Sequence, residues 1–170
     1  MAVAKKHISG RGRSWVRFQT VNTLSRFRIW LAAVLVFGLV GTIVELLLLE
    51  HYEDRWQFVP LLLIVSALGV LTWHGARPNA ASVRALQVLM ALFLIAGPIG
   101  IGLHFRGAAE FQLEIDRSQP GWNVFEKAMK AKAPPVLAPG LMMQLGMIGL
   151  VYSYRHPALT ASVAGSKEME

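Results

Sequence analysis

Cysteine is absent from the chain. Disulfides, thiolate metal sites and cysteine nucleophiles are therefore excluded together. Charge is scarce as well. Only 16% of the 170 residues are Asp, Glu, Lys or Arg, where soluble domains carry about a quarter. Acid is the scarcer sign, with 10 Asp and Glu against 17 Lys and Arg. Catalytic signatures are missing too. No glycine-rich loop precedes a Lys-Ser/Thr pair, and no GxSxG occurs. No HxxxH, HExxH or ExxH pair is present to hold a metal from one helix. Repeats and low-complexity stretches are also lacking. These absences point away from an enzyme.

What is abundant is apolar surface, at 54% of residues, and it is blocked into runs. The first run, 29–49, holds a single charge, Glu45. At 1.5 Å of rise per residue it matches a hydrocarbon layer about 30 Å thick. It is too long for a signal-peptide core and reads as a retained signal anchor. The second run, 58–73, is short, with Pro60 in its first turn and Trp56 and Trp73 at its ends, where interfacial aromatics belong. The third, 83–105, contains Pro98 within AGPIGIG, which predicts a kink or local unwinding. The fourth, 136–154, starts after Pro134 and Pro135 and ends at Tyr152, Tyr154 and Arg155. Helices are required because a bilayer interior offers backbone groups no water. The period-2 alternation of a membrane barrel is absent.

The net charge of +7 invites a nucleic-acid reading, but the distribution opposes it. Lys5, Lys6, Arg11, Arg13, Arg17, Arg26 and Arg28 all precede the first run. Such a flank orients a membrane helix and is drawn to anionic inner-leaflet headgroups. With the N-terminus inside, 11 basic residues fall on the inner side and 6 on the outer, where Glu50, Glu53, Asp54, Glu110, Glu114, Asp116 and Glu126 collect. Both termini are expected in the cytoplasm, with a bacterial inner membrane as the default location.

Between residues 14 and 28, Trp15, Phe18, Val21 and Leu24 recur at near-helical spacing. Two readings stand level: an interfacial helix on the inner leaflet, or a basic tail that orders only near lipid. The outer segment 106–135 reads as a cap of two short helices broken at Ser118-Gln119-Pro120-Gly121. An alternating strand over 111–115 is the alternative. Residues 155–170 form a tail whose last ten residues have a disordered composition.

Small residues repeat along the runs: Gly38 and Gly41 with Glu45 on the first, Gly97 and Gly100 with His104 on the third, Gly146 and Gly149 on the fourth. Small residues let helices approach closely in lipid, so these are read as packing positions. Glu45 is the one ionisable residue well inside a run. It is costly there and is expected to face the bundle, or else to reach outward to the interface. Histidines sit in pairs at the ends of the runs: His51 and His104 on the outer side, His74 and His156 on the inner side. Imidazole is a common transition-metal ligand. Glu45, Glu50, Glu53, Met142 and Met143 stand near enough in sequence order to complete an outer site.

The fold expected is all-α: a four-helix transmembrane bundle over 29–154, with a basic segment 1–28 before it and a helical cap outside. The leading functional expectation is a non-catalytic accessory or structural subunit of a membrane complex. It would bind no cofactor, and its partners would be lipid and other membrane subunits or itself. Two alternatives remain open. One is a haem- or metal-binding redox protein using His51 and His104. The other is a small oligomeric transporter or channel with Glu45 as its ion or proton site.

Overall fold

The computed structural model describes residues 10–131 and 136–159, with side chains from residue 23 onward. Every regular element among them is helical: α1 (Gly10–Leu48), a single 3-10 turn (Arg55–Gln57), α2 (Phe58–Ala76), α3 (Ala80–Ile115), α4 (Gly121–Met129) and α5 (Leu137–Ser153). The expected start at Pro134 and Pro135 and the last ten residues lie outside the described segments, as do the side chains of Trp15, Phe18 and Val21.

Three stretches are long and apolar enough to cross a membrane: Thr23–Leu48, Arg55–Ala76 and Ala80–Ile115. That is the signature of an integral membrane protein. The fourth apolar helix, α5, is shorter, with 17 residues, or about 25 Å of rise. It is also the most enclosed. Pro139, Met142, Leu145, Gly146, Gly149, Tyr152 and Ser153 are all buried along it.

The ends of the helices have local causes. Asp54 caps the 3-10 turn, accepting from the Arg55 N–H at 2.5 Å while the Gln57 side chain accepts from the Asp54 N–H at 3.1 Å. Asn79 caps α3 in the same reciprocal way with Ser82. α3 ends at an Asp116 turn. There the Asp116 carboxylate accepts from the Ser118 backbone N–H at 2.9 Å and from its hydroxyl at 2.6 Å.

Three expectations change. Residues 10–28 are neither a separate interfacial helix nor an unstructured tail: they are helical and continuous with the first span. Residues 106–115 are not a first cap helix, nor a strand over 111–115, but the continuation of α3. Hydropathy falls at Arg106 while the helix does not, because Arg106 and Glu110 pair at i,i+4 across 2.7 Å and no breaker occurs before residue 118. Third, of the kink or local unwinding expected at Pro98, the unwinding is not found: α3 is helical through it. At 36 residues it is about 54 Å long, well beyond a hydrocarbon layer of about 30 Å. Its polar end therefore stands clear of that layer. α4 packs back on this end, burying Val124 and Ala128, with Phe125 against Phe105 at 5.6 Å between ring centroids.

The core is a layer of Leu35, Leu39, Ile64, Leu86, Met90, Phe93 and Leu145. Its most extensive contact joins α3 and α5, and glycine makes it on both sides. A Cβ on Gly97 would strike Met143, and one on Gly100 would lie 3.1 Å from the Pro139 ring. In return, a Cβ on Gly146 would lie 2.9 Å from the Met90 carbonyl oxygen, and one on Gly149 would strike the Met90 side chain. On α1, Gly38 meets Leu145, but Gly41 has nothing within 4 Å. The face the two α1 glycines were expected to share is thus divided: Gly38 packs inward and Gly41 looks outward.

Gly146 faces a backbone atom that cannot yield. Gly146→Val is therefore expected to cost about 1–3 kcal/mol by overpacking, while Gly41→Val should stay within about 0.5 kcal/mol of the parent. Unfolding of the purified protein in mixed micelles measures both. Equal stabilities would remove the close approach of α3 and α5 from the account.

Candidate functional site

The four helix-end histidines meet in two pairs, one at each end of the bundle. The mechanism is alike at both ends. Among the described residues only Glu50 (φ 52°) and Arg155 (φ 46°) are non-glycine residues in the left-handed region. Each stands immediately before a histidine. After α1 the Glu50 N–H donates to the Leu47 carbonyl at 3.2 Å and the His51 N–H to the Leu46 carbonyl at 2.9 Å, the paired bonds of a Schellman stop. After α5 the His156 N–H donates to the Ser153 carbonyl at 3.3 Å. In both places the left-handed residue turns the chain back and lays the imidazole against a neighbouring helix. Left-handed non-glycine residues are strained, by about 1–3 kcal/mol each, and persist where the surroundings hold them.

At the first of these ends, His51 and His104 stack, with ring centroids 5.7 Å apart and planes 17° from parallel. Axial haem ligation needs both imidazoles end-on to the iron, with the porphyrin between them. Rings face to face at this distance leave no room for it. A metal ion bridging edge nitrogens is compatible with modest ring rotation. Among the described residues, however, no group of three or more His, Asp or Glu side chains converges there. Burial, and then the neighbouring His104, hold the His51 pKa below the usual imidazole range.

At the second end the cluster is larger. His74 is buried. Its Nδ1 lies 2.8 Å from the Ser82 hydroxyl. That hydroxyl also lies 2.9 Å from the Asn79 carbonyl oxygen, which can only accept its proton. All these contacts are hydrogen bonds only if Nδ1–H of His74 donates to Ser82, which leaves His74 Nε2 with a lone pair. His156 has the opposite tautomer. Its Nδ1 accepts from the Ala158 N–H at 3.3 Å, so the neutral ring carries its proton on Nε2. The two rings meet edge to face at 4.9 Å, one with a free acceptor and one with a free donor. Tyr152 closes the group, 6.1 Å from His74 and 5.6 Å from His156 between centroids. Burial, then His74, then Arg28 hold the His156 pKa below the usual imidazole range.

Glu45 faces outward from the bundle. Its carboxylate has no partner among the described residues. It shares a flank of α1 with Trp30, Val34, Phe37, Gly41 and Leu48, all exposed; Phe37 is 82% and Leu48 80% accessible.

No protein-family profile, curated protein or solved structure matches this chain.

His51 lies beside His104 and His74 beside His156, the two couples that the sequence placed at opposite ends of the runs. Sequence reasoning missed Ser82 and Tyr152. Asn79-Ala-Ala-Ser82 reads as a helix cap, and its proximity to His74 needs the tight turn Arg77-Pro78-Asn79. Tyr152 marked only the end of the fourth run. The left-handed turns at Glu50 and Arg155 left no signal, because neither is the Gly or Asn that advertises such a turn.

His51 and His156 have pKa values below the ordinary value of about 6.5. The native state therefore binds fewer protons than the unfolded chain around that pH. The stability tied to the two pairs is complete above about 6.5 and falls as pH drops below it. Imidazole resonances followed through an NMR titration should place both midpoints below the ordinary value. In His104→Ala the His51 midpoint should move up toward that value. A midpoint at or above it in the parent would contradict the packing described.

Proposed function

We propose that this chain is a non-catalytic membrane subunit whose α1 flank docks against a transmembrane helix of another protein. In this reading α5 also crosses the bilayer. Its two ends lie level with the two histidine pairs, which supports a four-helix bundle with α4 as an outer cap. The end that carries the N-terminus holds Arg11, Arg13, Arg17, Arg26, Arg28, Arg77, Arg84 and Arg155 and no acid among the described residues. By the positive-inside rule both termini then face the cytoplasm, across a membrane such as a bacterial inner membrane.

The carrying observation is the pairing of Gly41 and Glu45 on one exposed flank. Of the six glycines read as packing positions, five meet a neighbour within the chain and Gly41 meets none; Gly102 and Gly140 also face open space but have no carboxylate beside them. Flanked by Phe37 and Leu48, it forms a notch that fits a neighbouring helix. One turn on, Glu45 offers a carboxylate in an apolar setting, where polar side chains bond across helix interfaces. A symmetric contact between two copies through this notch would set Glu45 against Glu45, a like-charge arrangement that disfavours itself. A different helix bearing a donor fits better. The same flank also bears on the transport alternative, since Glu45 could line a pathway only at a subunit interface.

His51 and His104 favour a second reading, a transition-metal ion held between the ends of α1 and α3. Two imidazoles supply half of a tetrahedral set; water would supply the rest, since Met143 is held at Gly97 and Met142 in the core. Titration of the purified protein with Cu²⁺ or Zn²⁺ should then show about one site per chain, lost in His104→Ala. No saturable binding rejects this reading.

The principal reading is tested by photo-crosslinking in the native membrane, with a benzophenone amino acid at Phe37 on the flank and, separately, at Leu62, an exposed position on α2. One discrete protein adduct is expected from Phe37 and none from Leu62, with the adduct diminished by Gly41→Leu. Lipid adducts alone from both positions would defeat the proposal. An adduct of doubled mass would replace the foreign subunit with a second copy.

A further inference from the structure

Between α1 and the turn after α5 lies an open cleft of about 530 Å³. It is on the side of α1 that faces α5 and is separate from the Gly41 flank. Leu24, Arg28, Ile29 and Ala32 line one wall, and Tyr152 and His156 the other. The Arg28 guanidinium is fixed at the rim. Its Nη2 donates to the Arg155 carbonyl at 3.1 Å and toward the Tyr154 carbonyl at 3.4 Å. Those bonds use one nitrogen of the fork. Nε and Nη1 are not consumed by them, so a guanidinium held in place keeps a donor edge for a further acceptor. Ala32 lies one helical turn deeper than Arg28, about 6 Å along the axis, so the cleft runs from a cationic rim into the apolar layer.

We infer that this cleft binds one anionic phospholipid, with its phosphate on Arg28 and His156 and the start of an acyl chain along Ile29 and Ala32. Charge complementarity carries the choice of occupant. The cleft opens at the end of the bundle that holds Arg26, Arg28, Arg77, Arg84 and Arg155 and no acid among the residues with described side chains, whereas all eight described acids lie from Glu45 to Glu126 at the other end. Basic clefts between helices at such a surface suit anionic headgroups. A volume of about 530 Å³ falls within the roughly 300–1,000 Å³ of small-molecule sites. It takes a headgroup with the upper part of one chain. A free phosphate ion would satisfy Arg28 but would leave the apolar wall uncovered. A zwitterionic lipid would bring its ammonium group to an end rich in arginine. Arg155 strengthens the same field from beside Tyr154, where its guanidinium lies 5.5 Å over the ring.

The test is native mass spectrometry of the full chain in detergent, titrated with phosphatidylglycerol or with phosphatidylcholine of identical chains, each with and without excess inorganic phosphate. One phosphatidylglycerol adduct should appear well before any phosphatidylcholine adduct and should survive inorganic phosphate. Arg28→Gln should weaken it about fivefold, the loss of roughly 1 kcal/mol per basic residue. Arg26→Gln, which keeps the cleft's own guanidinium, should weaken it less than Arg28→Gln does. If Arg28→Gln does not fold, Ser25→Trp fills the cleft mouth with the charge retained, and the same adduct should disappear. Equal retention of the two lipids, an adduct indifferent to both substitutions, or displacement by inorganic phosphate alone would overturn the assignment. The last result would mark a simple anion site.

Discussion

The close approach of α3 and α5 is the contact on which the other features rest. In lipid, apolar side chains gain little from burial against one another, so two helices stay together only when their surfaces fit. Here the fit is reciprocal. Pro139 and Met143 of α5 enter the notch at Gly97 and Gly100, and Met90 and Phe93 of α3 enter the notch at Gly146 and Gly149. A shift of α5 by one turn along α3 would leave one protrusion of each pair against a larger side chain instead of glycine. The interlock therefore sets the register. Register in turn decides that Tyr152 and His156 arrive beside His74 and Ser82, and that the turn after α5 reaches the Arg28 side chain.

The second constraint is geometric. A helix end in a membrane bundle normally continues away from the bundle, carrying its last side chains with it. Glu50 and Arg155 reverse this by entering the left-handed region, and each delivers the following histidine to a partner on another helix. Both residues are β-unbranched, so the penalty is tolerable, but neither has glycine's freedom. The strain is offset by the carbonyls that the turns satisfy, which would otherwise be unpaired at the helix ends. The two histidine pairs differ in what surrounds them. His51 and His104 rest on each other with few polar neighbours. His74 and His156 are held in complementary tautomers by Ser82 and by the Ala158 N–H. The second arrangement is the better defined chemically.

Much of this was legible beforehand, for one physical reason. The hydrocarbon layer demands long apolar runs, and the runs at 29–49, 58–73 and 83–105 lie within the three long apolar helices to within one residue. Hydropathy reports the medium, however, and not the backbone conformation. It located where the chain leaves the apolar layer and missed that α1 extends back to Gly10 and α3 on to Ile115 as continuous helix. Pro98 illustrates a related limit. Proline removes one N–H and crowds the preceding turn, yet a well-packed helix can absorb both, and Gly97 beside it is clamped against Met143 and Pro139. The division between Gly38 and Gly41 was invisible because the sequence records spacing along one helix. Which side of that helix faces α5 is decided by the other helices.

What distinguishes this bundle is where its unmet needs lie. The buried polar side chains are satisfied internally: Thr42 donates to the Gly38 carbonyl at 2.7 Å, and Ser153 to the Leu150 carbonyl at 3.1 Å. No buried side-chain nitrogen or oxygen among the described residues lacks a partner. Among the described residues Glu45 and Gly41, on the outside of α1, have no internal counterpart. Glu45 lies three residues before the end of the helix, about 4.5 Å of rise. That depth is shallow enough for the carboxylate to reach headgroups when α1 is bare, so the chain does not depend on a partner to tolerate it. It is also deep enough for a donor on a neighbouring helix to be preferred once one is present. A residue placed at that depth favours association without making the isolated chain unstable. Gly41, one turn further in, supplies the space such a neighbour would occupy. Under the proposed reading, a satisfied interior lets the chain fold alone, and the Gly41 and Glu45 flank is what remains for a second helix to complete.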